Sequence, residues 1–225
     1  DFETPSIRQY AREIAADERA HVEFLRTALG SAAVSRPMLD LQNSFTAAAL
    51  AAGLIQPGQT FDAFANENNF LLAAYIFEDV GVTAYKGAAT LISNPAFLEA
   101  AAGLLAVEAY HAANVRTALY GRGIETPELQ LIEATIAISD ARDSLDGASN
   151  VDQGVALVDG QGNIVRDADG TPVSNIVPTD EFGLAFSRSA GQVLNVVYLT
   201  PQSASSGGFF PRGVYGAINT SDANA

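Results

Sequence analysis

Asp17-Glu18-Arg19-Ala20-His21-Val22 and Val107-Glu108-Ala109-Tyr110-His111 are the two stretches that decide the fold. They occupy equivalent points of an internal repeat at an offset of 90 residues. Thr4-Pro5 opens one copy and Asn94-Pro95 the other, each a capping residue before a proline at the first helical position. The copies run without a gap to Arg26-Thr27-Ala28-Leu29 and Arg116-Thr117-Ala118-Leu119, with nine identities over 26 aligned positions. Gly30 and Gly121 follow as expected helix stops.

Each copy carries one apolar stripe at helical spacing. The first is Ile7, Ala11, Ile14, Glu18, His21, Leu25, Ala28; the second is Phe97, Ala101, Leu104, Glu108, His111, Val115, Ala118. Such a stripe faces a bundle core, yet each is interrupted at mid-length by Glu-x-x-His. An unpaired carboxylate in a core costs several kcal/mol, about 3–5 for a broken buried pair, so both copies need a compensating partner at one height. A third helical pattern between them places Glu78 on a stripe with Leu71, Tyr75, Val82 and Tyr85.

That inventory matches di-metal carboxylate bundles, in which two helices give one Glu each and two give Glu-x-x-His. Glu18, His21, Glu78, Glu108 and His111 supply five of the six expected ligands. Both histidines of the chain have a glutamate three residues before them, which chance rarely arranges. Oxygen and nitrogen ligation suits two ions of iron, with manganese or zinc also accommodated. Glu78 and Glu108 are expected as shared ligands and the histidines as terminal ones. Tyr75, one turn before Glu78, is a candidate neighbour of the ligands, although a lone aromatic on a stripe is more often packing. The competing structural reading is a pair of Glu–His ion pairs that lock bundle register.

The spacing predicts a mainly α, ferritin-like four-helix bundle over residues 1–147, with helices at about 5–30, 42–54, 61–92, 95–120 and 128–145. Residues 148–225 change texture and are expected to form an appendage on the bundle, with a small β-hairpin near 155–166 and a short helix within 182–199. Glu78 precedes Glu108 by 30 residues; the same interval before Glu18 places the sixth ligand on a helix upstream of Asp1. Asp167-x-Asp169-Gly170 has half the pattern of a calcium loop but lacks the downstream glutamate, and reads as a turn.

Composition excludes several alternatives. Without cysteine, thiolate zinc, iron–sulfur and disulfide chemistry are absent. A net charge of -14 repels phosphate backbones, so nucleic acid is not an expected partner. No transmembrane segment is expected, because no stretch is apolar for long enough.

Phe77-Glu78-Asp79-Val80-Gly81-Val82-Thr83-Ala84-Tyr85 with Gly87-Ala88-Ala89 resembles the ferritin-like family of desiccation-related proteins. So do Val107-Glu108-Ala109-Tyr110-His111, Asp17-Glu18-x-x-His21-Val22, and the C-terminal Gly207-Gly208-Phe209-Phe210-Pro211 with Gly213. The resemblance implies export from the cytoplasm, to the periplasm, cell surface or exterior, and an association with desiccation or stress; it delivers no defined reaction. Two readings follow. In one, a di-iron site oxidises Fe(II) or consumes oxygen or peroxide. In the other, an exported protective protein uses metal only to stabilise its bundle. A homo-oligomer is compatible with both, whereas iron storage in a hollow shell is disfavoured by the appendage.

Overall fold

A computed structural model describes residues 2–224. Its helices are α1 (Pro5–Leu29), α2 (Gln42–Ala51), α3 (Glu67–Ala89), α4 (Pro95–Glu125), α5 (Leu131–Asp146) and α6 (Ala190–Tyr198), with 3-10 turns at Gly30–Ala32 and Pro127–Leu129. The long helices α1, α3 and α4 carry the site, and α3 packs most extensively on α4. Helix α5 covers α3 and α4 from another side, and α6 lies on α3 and α5.

The two repeat copies start differently. Asn94 caps α4 as expected, its side chain accepting from the N–H of Ala96 at 2.9 Å and of Phe97 at 3.4 Å. Thr4 does not cap α1. Its hydroxyl donates to Glu67 Oε1 at 2.7 Å, and the N–H groups of Glu3 and Thr4 donate to Glu67 Oε2. A carboxylate from α3 thus satisfies orphan donors at the start of α1 and ties the two helices together.

Gly121 does not stop α4, which runs on to Glu125. Gly123 shows why glycine sits there: a Cβ at this position would lie 2.7 Å from Ile132 Cγ1, so its absence lets α5 approach closely. Helix α3 starts at Glu67, later than the 61–92 pattern suggests. Asn66 caps it, and Asp62 closes a turn on Phe64 just before. The last helix is shorter than the 182–199 pattern, because Ser189 and Gln192 form a capping box at its start.

The expected hairpin is an irregular antiparallel meander. Isolated bridges join Val158 to Ile164, Arg166 to Pro172 and Ala156 to Ser174, and no regular strand forms among the described residues. Asp167 is a turn residue, its Oδ1 accepting from the N–H of Asp169 and Thr171.

One core links the bundle to the C-terminal segment. Val115, Leu119, Leu71, Leu131, Ile132, Ile138 and Val155 are buried together with Phe209. The Phe209 ring fits edge-on between Phe77 at 4.8 Å and Phe45 at 5.0 Å. The Gly207-Gly208 pair makes this insertion feasible, since a Cβ on Gly208 would meet the Val197 carbonyl oxygen at 2.7 Å.

Candidate metal centre

Helix α1 brings Glu18 and His21, α3 brings Glu78, and α4 brings Glu108 and His111 to one point. His21 Nδ1 lies 3.3 Å from Glu18 Oε1 and 3.7 Å from Glu108 Oε1. His111 Nδ1 lies 3.5 Å from both Glu18 Oε1 and Glu78 Oε2. One ligand atom each from Glu18, Glu78, Glu108 and His111 falls within 4.8 Å of the others. Glu78, Glu108 and His111 are buried, while Glu18 and His21 sit nearer the surface. The ring centroids of the two histidines are 6.3 Å apart.

The polar atoms that face inward are orphans. Glu18 Oε1, His21 Nδ1, Glu78 Oε2 and His111 Nδ1 have almost no solvent access and no hydrogen-bond partner. Buried polar atoms without partners are rare in folded proteins and call for an explanation. Donors held about 2.1 Å from a shared ion sit roughly 3–4 Å from one another, the spacing observed here. Three carboxylates and two imidazole nitrogens therefore fit a pair of cations.

The electrostatics agree. Burial pushes Glu108 up to about 8, with the charges of Glu18 and Glu78 adding to the shift. Burial also raises Glu78, against the pull of His111. Glu18, more exposed, is lowered chiefly by His111. Burial opposes a charge on His111, but Glu18, Glu78 and Asp17 outweigh it and push the imidazole up to about 11. A concentration of negative charge that raises its own members in this way is a site short of positive charge.

Four features were not legible as site components. Asp17 Oδ2 lies 3.0 Å from His111 Nε2. A carboxylate on the outer nitrogen fixes the ring and leaves Nδ1 turned inward, as in carboxylate–histidine–metal triads. Gly81 gives Glu108 its room: a Cβ there would lie 2.5 Å from Glu108 Oε2. Tyr85, on the stripe, has Glu108 and Glu18 as charged neighbours, and burial together with those charges pushes its phenol up to about 12. The fourth is the sharing pattern. Glu18 spans both histidines, while Glu78 approaches His111 and, among the described residues, not His21. The sixth ligand expected from repeat spacing lies outside the described residues.

Tyr75 is placed away from the centre. Its hydroxyl meets Ser139 Oγ at 2.7 Å and donates to the Gln153 carbonyl at 2.8 Å, with Arg116 and Arg142 packed against its ring. On a helix, i and i+3 are 60° apart in projection and i and i+4 only 40°, so Tyr75 aligns better with Asp79 than with Glu78. Asp79 belongs to this second network, accepting from Arg116 at 2.7 Å and Arg142 at 3.2 Å. Arg116 also donates to the carbonyls of Gln153, Gly154, Asn175 and Ile176, so the network fastens the C-terminal segment to the bundle.

No helix among the described residues is long and apolar enough to cross a membrane.

The family model for the ferritin-like domain matches residues 2–121. The chain is 31% identical over 216 residues to the desiccation-related protein PCC13-62 of Craterostigma plantagineum, covering 93% of this chain and 66% of that protein. It is 28% identical over 221 residues to the ferritin-like catalase Nec2 of Nesocodon mauritianus, covering 95% and 68%. The chain thus spans about two thirds of the length of these curated relatives. No solved structure matches it. By the family model over more than half its length, and by a desiccation-related relative along nearly all of it, the chain belongs to the ferritin-like family, among its desiccation-related members.

Proposed function

We propose that this chain holds two transition-metal ions, iron in the first instance, between Glu18, His21, Glu78, Glu108 and His111, and consumes peroxide in protection against desiccation or stress. The observation that carries the reading is the set of inward-facing, partnerless ligand atoms on three helices. Glu18 and Glu108 would be available to both ions, Glu78 and His111 would help hold one, and His21 would help hold the other. An iron pair supplies reversible electron transfer and Lewis acidity at one place. The protein's own part is positional. Asp17 orients His111, Gly81 admits the Glu108 carboxylate, and burial with the nearby charges of Glu108 and Glu18 keeps the Tyr85 phenol protonated.

That the Nesocodon relative is a ferritin-like catalase favours peroxide over iron storage. The corresponding reaction converts two hydrogen peroxide molecules to two waters and one dioxygen. Export rests on the family resemblance and is tested by locating the protein in its native source.

The deciding experiment loads the full chain anaerobically with Fe(II), confirms two ions per chain by elemental analysis, and adds hydrogen peroxide in an oxygen-electrode cell. Oxygen release well above that of free iron is expected. Full occupancy and a raised unfolding temperature, with release no faster than in buffer, would leave only the structural role, because an ion that binds the folded state stabilises it by mass action.

A further inference from the structure

We propose that Asp143, Asp146 and Asp152 form a second cation site, separate from the metal centre, that takes one hard divalent ion, calcium first, and clamps the C-terminal segment to α5. Asp143 and Asp146 are i and i+3 on α5, so they share a face. Asp152 comes from the segment that leaves this helix. One carboxylate oxygen from each lies within 4.8 Å of the other two, which is the span across an ion with ligands at about 2.4 Å.

The second observation is a set of unused oxygens. Asp146 is fully buried and the Asp152 side chain is 1% exposed. Arg188 occupies only one oxygen of each, Asp146 Oδ2 at 2.6 Å and Asp152 Oδ2. Asp146 Oδ1 and Asp143 Oδ1 have no hydrogen-bond partner. Asp152 Oδ1 faces Arg142 Nε at 2.8 Å, off the hydrogen-bonding line.

Charge counting points the same way. Three carboxylates (Asp79, Asp146, Asp152) balance three guanidinium groups (Arg116, Arg142, Arg188) in one connected, buried network, and half-buried Asp143 stands beside it with no ion pair of its own among the described residues. One negative charge is left over. It sits at the C-terminal end of α5, whose last turn holds no basic residue. There the helix dipole disfavours anions and favours cations. Burial raises both Asp143 and Asp146, the latter to about 6, with Asp152 contributing to each. A proton satisfies one oxygen; a divalent ion satisfies all three, and an oxygen-only donor set selects a hard one. Half-buried Asp143 leaves the ion a route from solvent.

The test titrates metal-stripped full chain with calcium chloride alone, by calorimetry and by unfolding temperature. One saturable site with sub-millimolar affinity and a rise of several degrees is expected. Asp143→Asn, which breaks no arginine pair, should weaken binding at least tenfold. His111→Ala, which disables the metal centre, should leave the calcium response intact. If Asp143→Asn fails to fold by circular dichroism, wild type and His111→Ala in calcium against sodium chloride of equal ionic strength decide. Absence of saturable binding, an unchanged Asp143→Asn, a response lost in His111→Ala, or an equal response to sodium would each overturn the site.

Discussion

Asp17 on α1 holds Nε2 of His111 on α4 at 3.0 Å, across 94 residues of sequence. The contact turns the opposite ring nitrogen toward Glu18 and Glu78, each 3.5 Å away. It joins the two repeat copies through one imidazole.

Asp17→Asn should therefore weaken metal binding without unfolding the bundle. Loss of a carboxylate behind a ligating histidine typically costs about 10–100-fold in affinity. Competitive titration against a chelator of known affinity measures it. An affinity equal to that of wild type would show that Asp17 does not orient the ring.

Replacing a shared ligand should differ from replacing a terminal one. Glu18→Ala and Glu108→Ala each remove a carboxylate placed between the two sides, and both should leave at most one ion bound per chain. His21→Ala strips a donor from one side only and should retain two ions with weakened binding of one. Elemental analysis after desalting reads the stoichiometry. Two tightly held ions in Glu108→Ala would contradict the sharing pattern.

Gly81→Ala tests the packing behind Glu108. The new methyl meets the far end of a flexible side chain, 2.5 Å from its carboxylate oxygen, so the fold should survive with little loss of stability. The carboxylate must move instead. Metal occupancy and peroxide turnover should both fall, with the unfolding temperature of the metal-free protein nearly unchanged. A metal-free protein strongly destabilised by this change would place the constraint in the backbone rather than in the site.

Glu67 makes acid stability depend on α1. Burial acts to raise its carboxyl, but the N–H and hydroxyl of Thr4, the Arg122 guanidinium at 2.8 Å and the N–H of Glu3 outweigh it and hold the carboxyl below its usual value of 4.5. A depressed carboxyl stabilises the fold fully above the unfolded-state value, and the contribution is lost as pH falls through the lower folded-state value. Glu67→Gln should cost about 1.5–3 kcal/mol near neutral pH, the range for hydrogen bonds to charged groups. The difference from wild type should begin to narrow as pH falls below about 4.5, the usual carboxyl value. Urea unfolding at pH 7 and pH 3.5 measures both; a gap as large at pH 3.5 as at pH 7 would refute the charge argument.

The helical class and the closeness of Glu18, His21, Glu78, Glu108 and His111 were legible because both follow from local periodicity. A stripe at 3.6 spacing has one core-facing side, and a Glu and His three residues apart on it must share that side. Legibility ended wherever a residue's role depends on a neighbour distant in the chain. Arg26 and Arg116 occupy identical repeat positions, yet Arg26 is exposed and Arg116 is fully buried among carbonyls of the C-terminal segment. Tyr75 and Asp79 face that same segment, and no spacing rule announces it.

The sequence by itself determined the repeat, the amphipathic helices and the height at which their charged residues meet, because those depend on helical geometry alone. The tertiary structure decided what each charged group meets there: Asp17 behind His111, Gly81 beneath Glu108, Glu67 at the start of α1, and Asp146 and Asp152 against Arg188. Those pairings arise from the docking of segments tens of residues apart, whose approach is set by packing of the whole core and not by any local pattern.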